Sequence, residues 1–102
     1  MIELIEQYRS ELEDMCRRYH VKTLEVFGSA ADGMFDPGRS DLDFLVDFRQ
    51  LPRGGHARAY FGLLFALEDL FRRKIDLVEM PAVSNPFFLK SINQTRKVLY
   101  AA

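Results

Sequence analysis

The sequence predicts an α/β protein of the α+β kind, with a small mixed β-sheet of three to four strands and helices packed mainly on one face. Residues 2–19 place apolar side chains at three- and four-residue steps, the period of an amphipathic helix, and residues 57–72 form a second, broadly apolar helical segment. Three short apolar runs, at 21–27, 41–48 and 74–79, have the length of β-strands. Because long helices alternate with these strands, we expect one sheet covered by helices.

The first predicted helix is defined by apolar residues with glutamates and arginines between them: Ile5, Tyr8, Leu12, Met15 and Tyr19. The aromatic stripe of the helix over 57–72 is expected to lie mostly in the core. The remaining predicted elements, in chain order, are a short helix over 29–34, a turn at Asp36-Pro37-Gly38, a connection at 51–55, a break at Pro81, a last helix over 86–95 and a short terminal strand at 98–100.

Length and composition limit the class of protein. The 102 residues suffice for one domain with its own core but not for two, so we expect a single domain over residues 1–102. A formal net charge of −1 lacks the basic character of DNA- and RNA-binding proteins, so direct nucleic-acid binding is not expected. The single cysteine, Cys16, fits a reducing cytoplasm. The sequence has no apolar run of about 18 residues and no basic segment after Met1, so neither a membrane span nor a signal peptide is predicted.

Two aspartates, Asp41 and Asp43, stand at the start of the second predicted strand. Residues two apart in a strand point to the same face, roughly 6–7 Å from one another, so these carboxylates project together while Leu42 turns into the core. At an effective dielectric near 20, two like charges about 4 Å apart repel by on the order of 4 kcal/mol. A divalent cation such as Mg²⁺, which prefers carboxylate and phosphate oxygens, would turn this repulsion into binding.

Gly28 and Ser29 close the strand before this pair. A small turn that runs into a helix start offers backbone N–H groups and a hydroxyl to an anion. A phosphate-binding turn beside a pair of metal-binding carboxylates indicates a protein that handles a nucleoside triphosphate.

Asp76 supplies a third carboxylate, on the predicted strand 74–79. If this strand neighbours the one that begins at Asp41 and Asp43, the three acids form a cluster that can hold two Mg²⁺ about 3.5–4 Å apart. Asp76 could then also accept the proton of an attacking hydroxyl. The structural alternative for Asp76 is an ion pair with one of the basic residues before it, Arg72, Arg73 or Lys74.

Gly28-Ser29, Asp41-Leu42-Asp43 and the downstream Asp76 together resemble the DNA polymerase β-type nucleotidyltransferase superfamily. The short chain, the basic residues before the Asp76 strand and the tail from Asn85 to Tyr100 resemble its minimal, single-domain branch, the MNT antitoxins. Members of that branch are paired with HEPN-domain ribonuclease toxins.

The resemblance implies the polymerase β-type nucleotidyltransferase fold and transfer of AMP from ATP to a tyrosine hydroxyl of a HEPN toxin. It implies that Asp41 and Asp43 bind two Mg²⁺ ions, that Asp76 binds one of them and assists deprotonation, and that Gly28 and Ser29 hold the triphosphate. The expected role is the antitoxin of a type VII-like toxin–antitoxin pair in the cytoplasm. Assembly as a homo-oligomer or as a hetero-complex stays open.

Two positions depart from the family pattern. The spacer between Ser29 and Asp41, residues 30–40, is one residue longer than usual, and Asp32-Gly33 stands where Arg-Gly is common. An acid near the phosphates would weaken ATP binding, whereas the Pro-Gly loop absorbs the extra residue at little cost. Two alternatives therefore stay open: an antitoxin that neutralises its toxin by complex formation without catalysis, and a small nucleotidyltransferase that acts on another acceptor.

Overall fold

A computed structural model describes residues 3–32, 36, 38, 41–80 and 83–102. The elements in these ranges are, in chain order, α1 (Glu3–Gln7), α2 (Arg9–Arg18), β1 (Val21–Phe27), α3 (Ser29–Asp32), β2 (Leu42–Phe48), α4 (Gly55–Phe71), β3 (Ile75–Glu79), α5 (Pro86–Thr95) and β4 (Lys97–Ala101). None of the described helices is long and apolar enough to cross a membrane.

The described strands form one mixed sheet in the order β3-β2-β1-β4. Strand β1 pairs antiparallel with both β2 and β4, whereas β2 and β3 are parallel. A parallel pair needs a crossover connection, which α4 provides here. The predicted mixed sheet is confirmed, with four strands, and the first residues of β2 and β3 lie at the same edge of it.

Each face of the sheet carries an apolar cluster, and one cluster is larger than the other. The larger core joins one face to α1, α2 and α4 through a set of fully buried side chains that includes Ile5, Leu12, Phe44, Leu63 and Leu67. On the other face, α5 covers a smaller cluster formed by Phe27, Leu45 and Ile92. The prediction that helices pack mainly on one face is confirmed, and α5 is the helix that packs on the other.

The predicted helix over 2–19 is divided in two at Tyr8. The Tyr8 backbone (φ −107°, ψ 22°) leaves the helical region, and its ring packs edge-on against Phe71 with 5.6 Å between the ring centroids. The apolar pattern continues through the break, so periodicity could not reveal it. The placement of the aromatic side of α4 in the core was also wrong in part, because Phe61 and Phe65 are exposed.

The other boundaries agree closely with the predicted ones. Strand β1 and helix α5 have the predicted ends, α4 begins two residues earlier, and the terminal strand is longer. Helix α3 covers the first part of the predicted 29–34, whose last two positions lie outside the described residues, as do Pro37 and Pro81. The Gly38 N–H donates to Asp36 Oδ1 at 2.9 Å, which is consistent with the predicted turn.

Candidate active site

Two aspartates face each other across the parallel pair of β2 and β3. The register makes Asp43 and Asp76 partners at the level of their Cα atoms. Their neighbours Phe44 and Leu77 belong to the larger core, so alternation along the strands puts both carboxylates on the opposite face of the sheet. The expectation that the Asp76 strand lies beside the Asp43 strand is therefore confirmed.

Asp41 immediately precedes β2 and is exposed. Its Oδ2 lies 3.7 Å from Nζ of Lys74, the residue before β3. An ion pair this accessible to water contributes about 0–1 kcal/mol to stability. Of the basic residues considered as partners for Asp76, Lys74 thus pairs with Asp41, and it brings one positive charge to the edge of the acidic group.

The Asp43 carboxyl has a perturbed pKa. Burial raises the pKa of Asp43 to about 6, and the negative charges of Asp76 and then Asp41 add to the rise. Desolvation and like charges both disfavour an ionised carboxyl, so this is the expected behaviour of acids gathered without a cation. A strongly shifted acid with specific charged neighbours is a mark of functional sites.

The turn after β1 is built around Gly28, which has a φ of 72°. A Cβ at this position would lie 2.5 Å from Asp43 Oδ2, so any side chain here would collide with that carboxylate. The Gly28 carbonyl accepts hydrogen bonds from the N–H groups of Ala31 and Asp32 at 3.0 and 3.2 Å. Gly28 thus lies beside Asp43, and Ser29, the next residue, begins α3.

Sequence reasoning missed Thr95, the last residue of α5. Its Oγ1 accepts a hydrogen bond from the Gly28 N–H at 2.8 Å. The sequence analysis had assigned the Gly28 N–H to phosphate, but in the structure it is already bonded to Thr95. Of Gly28 and Ser29, Ser29 therefore stays the candidate hydrogen-bond donor to phosphate. A threonine at the end of a helix has no local signature for this role, because only the packing of α5 on the sheet brings it to Gly28.

Tyr60 links α4 to the strand that carries Asp76. Its hydroxyl donates to the Leu77 carbonyl at 2.6 Å. Burial raises the pKa of the Tyr60 hydroxyl, and the charges of Asp76 and Glu79 raise it further. The hydroxyl therefore stays protonated and holds β3 against α4.

Comparison with known families adds an independent observation. A family model described as "Nucleotidyltransferase domain" matches residues 9–99, which include the Gly28-Ser29 turn and both aspartate strands. The chain belongs to the nucleotidyltransferase domain family. The enzyme class predicted from the glycine and aspartate motifs is thereby confirmed.

A known relative supports the nucleotidyltransferase assignment over most of the chain. "Putative protein adenylyltransferase MJ0128" of Methanocaldococcus jannaschii is 36% identical over 93 residues, which cover 83% of this chain and 91% of the relative.

Solved structures with a similar fold include a minimal nucleotidyltransferase. A structure described as "Structure of putative minimal nucleotidyltransferase" has a TM-score of 0.71 at 28% identity, over 94% of this chain and 95% of that one. A chain from the complex of tri-AMPylated Shewanella oneidensis HEPN toxin with MNT antitoxin has a TM-score of 0.65 at 16% identity, over 95% and 72% of the two chains. The second likeness concerns the fold alone, and the predicted fold is confirmed.

The acids of this nucleotidyltransferase fit a hard divalent cation, because their oxygens are the ligands that Mg²⁺ prefers and Asp43 and Asp76 share one face of paired strands. Within the described ranges, however, no three His, Cys, Asp or Glu side chains form a ready-made metal-binding group. The three predicted acids are arranged as the pair Asp43 and Asp76, with Asp41 near Lys74.

Proposed function

We propose that this chain is a Mg²⁺-dependent protein adenylyltransferase that transfers AMP from ATP to a tyrosine hydroxyl of a HEPN-type toxin. It would act as the antitoxin of a type VII-like pair, as a single domain in the cytoplasm. The observation that carries the proposal is the in-register pairing of Asp43 with Asp76 beside the Gly28-Ser29 turn. The adenylyltransferase name of the M. jannaschii relative and the fold shared with a chain of the HEPN–MNT complex support the acceptor class.

We propose for these residues the roles that the family resemblance implies. Asp41 and Asp43 would hold two Mg²⁺ ions and Asp76 one of them, and bound Mg²⁺ neutralises phosphate charge and favours ionisation of the attacking hydroxyl. Ser29 donates to the triphosphate, while Gly28 leaves space next to Asp43. Asp76 accepts the proton of the tyrosine hydroxyl as its oxygen bonds to the α-phosphorus of ATP and pyrophosphate leaves.

Exposed aromatic residues on α5 support a protein as the acceptor. Phe87 is 83% exposed and Phe88 is 40% exposed, in the first turn of α5. The Asn85 side chain fixes this turn by accepting hydrogen bonds from both of their backbone N–H groups, at 2.9 and 3.2 Å. Because α5 covers the sheet face that carries the aspartates, a protein seated on these rings would present its tyrosine to that face.

The test is to incubate the chain with a candidate HEPN partner, ATP and Mg²⁺, and to weigh both proteins by mass spectrometry. We expect added AMP on the partner, and no addition with the double variant Asp41→Asn and Asp43→Asn. Asp47→Asn is the matched control, because it lies on the same strand four residues from Asp43 and should keep the activity. Undiminished transfer by the double variant would refute the assignment.

One observation favours a second function, neutralisation by complex formation alone. Asp32 ends α3 and places an acid next to the turn that is proposed to hold the triphosphate. If the double variant still protects cells from the toxin, binding suffices and catalysis is not required. If protection is lost while the complex still forms, chemistry is required. Transfer of label from ATP to RNA or a small molecule, with no labelled protein, would indicate another acceptor.

A further inference from the structure

The outer side of α4 carries four residues that we call the α4 seam: Arg58, Phe61, Phe65 and Glu68. They follow one another at steps of three, four and three residues, so they share one face of the helix. At about 100° per residue, this face lies opposite Leu63, which is fully buried in the larger core. The α4 seam therefore points away from the sheet.

The two rings of the α4 seam are open to solvent. Phe61 is 50% exposed and Phe65 is 59% exposed, and the rings stack on each other with their centroids 6.1 Å apart. Within the part of the chain that the structure describes, Arg58 and Glu68 make no side-chain hydrogen bond or ion pair. An apolar pair flanked by one cation and one anion has the form of an interface centre with a polar rim.

The α4 seam is complementary to itself when a second copy runs antiparallel. Suppose that two antiparallel copies of α4 cross at the level of residue 63. A residue a given number of positions before 63 in one copy then faces the residue the same number of positions after 63 in the other copy. Phe61 then meets Phe65 of the second copy, and Arg58 meets Glu68, each contact occurring twice because a two-fold interface is isologous.

We propose that the protein self-associates as a two-fold symmetric dimer through antiparallel pairing of the α4 seam. Arg58 and Glu68 carry opposite charges at equal distances from the two central rings, so the α4 seam of a second copy is complementary in charge. We therefore infer a second copy of this chain as the partner. Because α4 lies on the sheet face opposite Asp43 and Asp76, dimerisation leaves the candidate active site accessible.

The size of the seam indicates how tight the dimer is. The 17 residues of α4 span about 25 Å, and the two rings together expose roughly 200 Å² in each copy. A standard interface buries about 800 Å² per partner, so one helix face is a small interface. We expect a reversible dimer with a Kd in the micromolar range.

Charge reversal tests both the face and its register. Arg58→Glu and Glu68→Arg each create two like-charge pairs per dimer and should weaken the Kd, measured by sedimentation velocity, at least about tenfold. The double variant should recover the wild-type Kd. A mixture of the two single variants should also form dimers, because the new acid of one faces the new base of the other. Phe61→Ser with Phe65→Ser should give a folded monomer whose AMP transfer is unchanged.

Several results would overturn the proposal. One is a wild-type protein that stays monomeric up to submillimolar concentration, and another is a dimer that the two serine substitutions do not weaken. Loss of dimer in both single variants without recovery in the double variant or the mixture would show that the register is wrong. If the chain alone is monomeric and the serine substitutions instead abolish binding of the toxin, the α4 seam belongs to that partner.

Discussion

Replacement of Asp43 by asparagine should stabilise the metal-free protein at neutral and alkaline pH, although it removes a proposed metal ligand. In the folded chain, burial and then the charges of Asp76 and Asp41 raise the pKa of Asp43 from its ordinary 3.8 to about 6. The folded state therefore binds the proton more tightly than the unfolded state does. Stability falls as the pH rises through the interval between these two values. Asparagine carries no charge and avoids this loss.

The magnitude follows from the shift. About two pKa units correspond to roughly 3 kcal/mol at about 1.36 kcal/mol per unit. Asp43 is only half-buried, so solvent screens part of this penalty and we expect about 1–2 kcal/mol. That is a measurable fraction of the roughly 5–15 kcal/mol by which small domains are stable.

The assay is urea unfolding of the wild type and Asp43→Asn at pH 4 and pH 8 in the presence of EDTA. The variant should gain about 1–2 kcal/mol of unfolding free energy over the wild type between the two pH values. In a parallel series without EDTA, Mn²⁺ or Mg²⁺ at pH 8 should stabilise the wild type and not the variant. Asp47→Asn, on the same strand, should show no comparable gain. If Asp43→Asn gains nothing at pH 8, the burial and charge repulsion assigned to Asp43 are wrong.

Three further substitutions and one control are measured by urea unfolding, and Gly28→Ala also by the AMP-transfer assay. Gly28→Ala should lower the free energy of unfolding by about 1–3 kcal/mol and abolish AMP transfer, because the new Cβ would lie 2.5 Å from Asp43 Oδ2. Gly54→Ala is the control: this glycine also has a positive φ, of 80°, but a Cβ there would meet no other atom. It should therefore cost only the backbone strain, about 1 kcal/mol. Thr95→Val should cost about 1–3 kcal/mol, since the N–H it binds is left unpaired, and an unchanged stability would show that bond to be dispensable. The Arg96 guanidinium donates hydrogen bonds to both carboxylate oxygens of Glu25, a residue that is only 8% exposed. Arg96→Ala should cost about 2–3 kcal/mol because Glu25 loses its counter-charge, and a loss below about 0.5 kcal/mol would contradict this.

Local signals were sufficient for most of the secondary structure. The ends of β1 and α5 follow from short-range chemistry: the apolar run stops at Gly28, and Asn85-Pro86 begins the last helix with a capping side chain and a proline in its first turn. The shared orientation of Asp41 and Asp43 could also be predicted, because residues two apart in a strand point to the same face. These features need no knowledge of what lies elsewhere in the chain.

Packing between distant segments produced the features that could not be predicted. The break at Tyr8 accompanies a ring contact with Phe71, and the apolar pattern is the same with or without it. Phe61 and Phe65 match the composition of a core helix, yet the helix rotation set by Leu63 leaves them outside. Periodicity indicates which residues share a face of a helix, but it does not indicate which of the helix's apolar faces will pack against the sheet.

The chain's own patterns thus specified the kinds of element, the acidic ligands available to a cation and the glycine turn near them, since each depends on neighbours a few residues apart. Only the fold shows that Asp43 pairs with Asp76, that Lys74 lies beside Asp41, and that Thr95 accepts the hydrogen bond of the Gly28 N–H. Strand order and register join segments far apart in sequence, and they depend on how well entire faces pack rather than on any short motif.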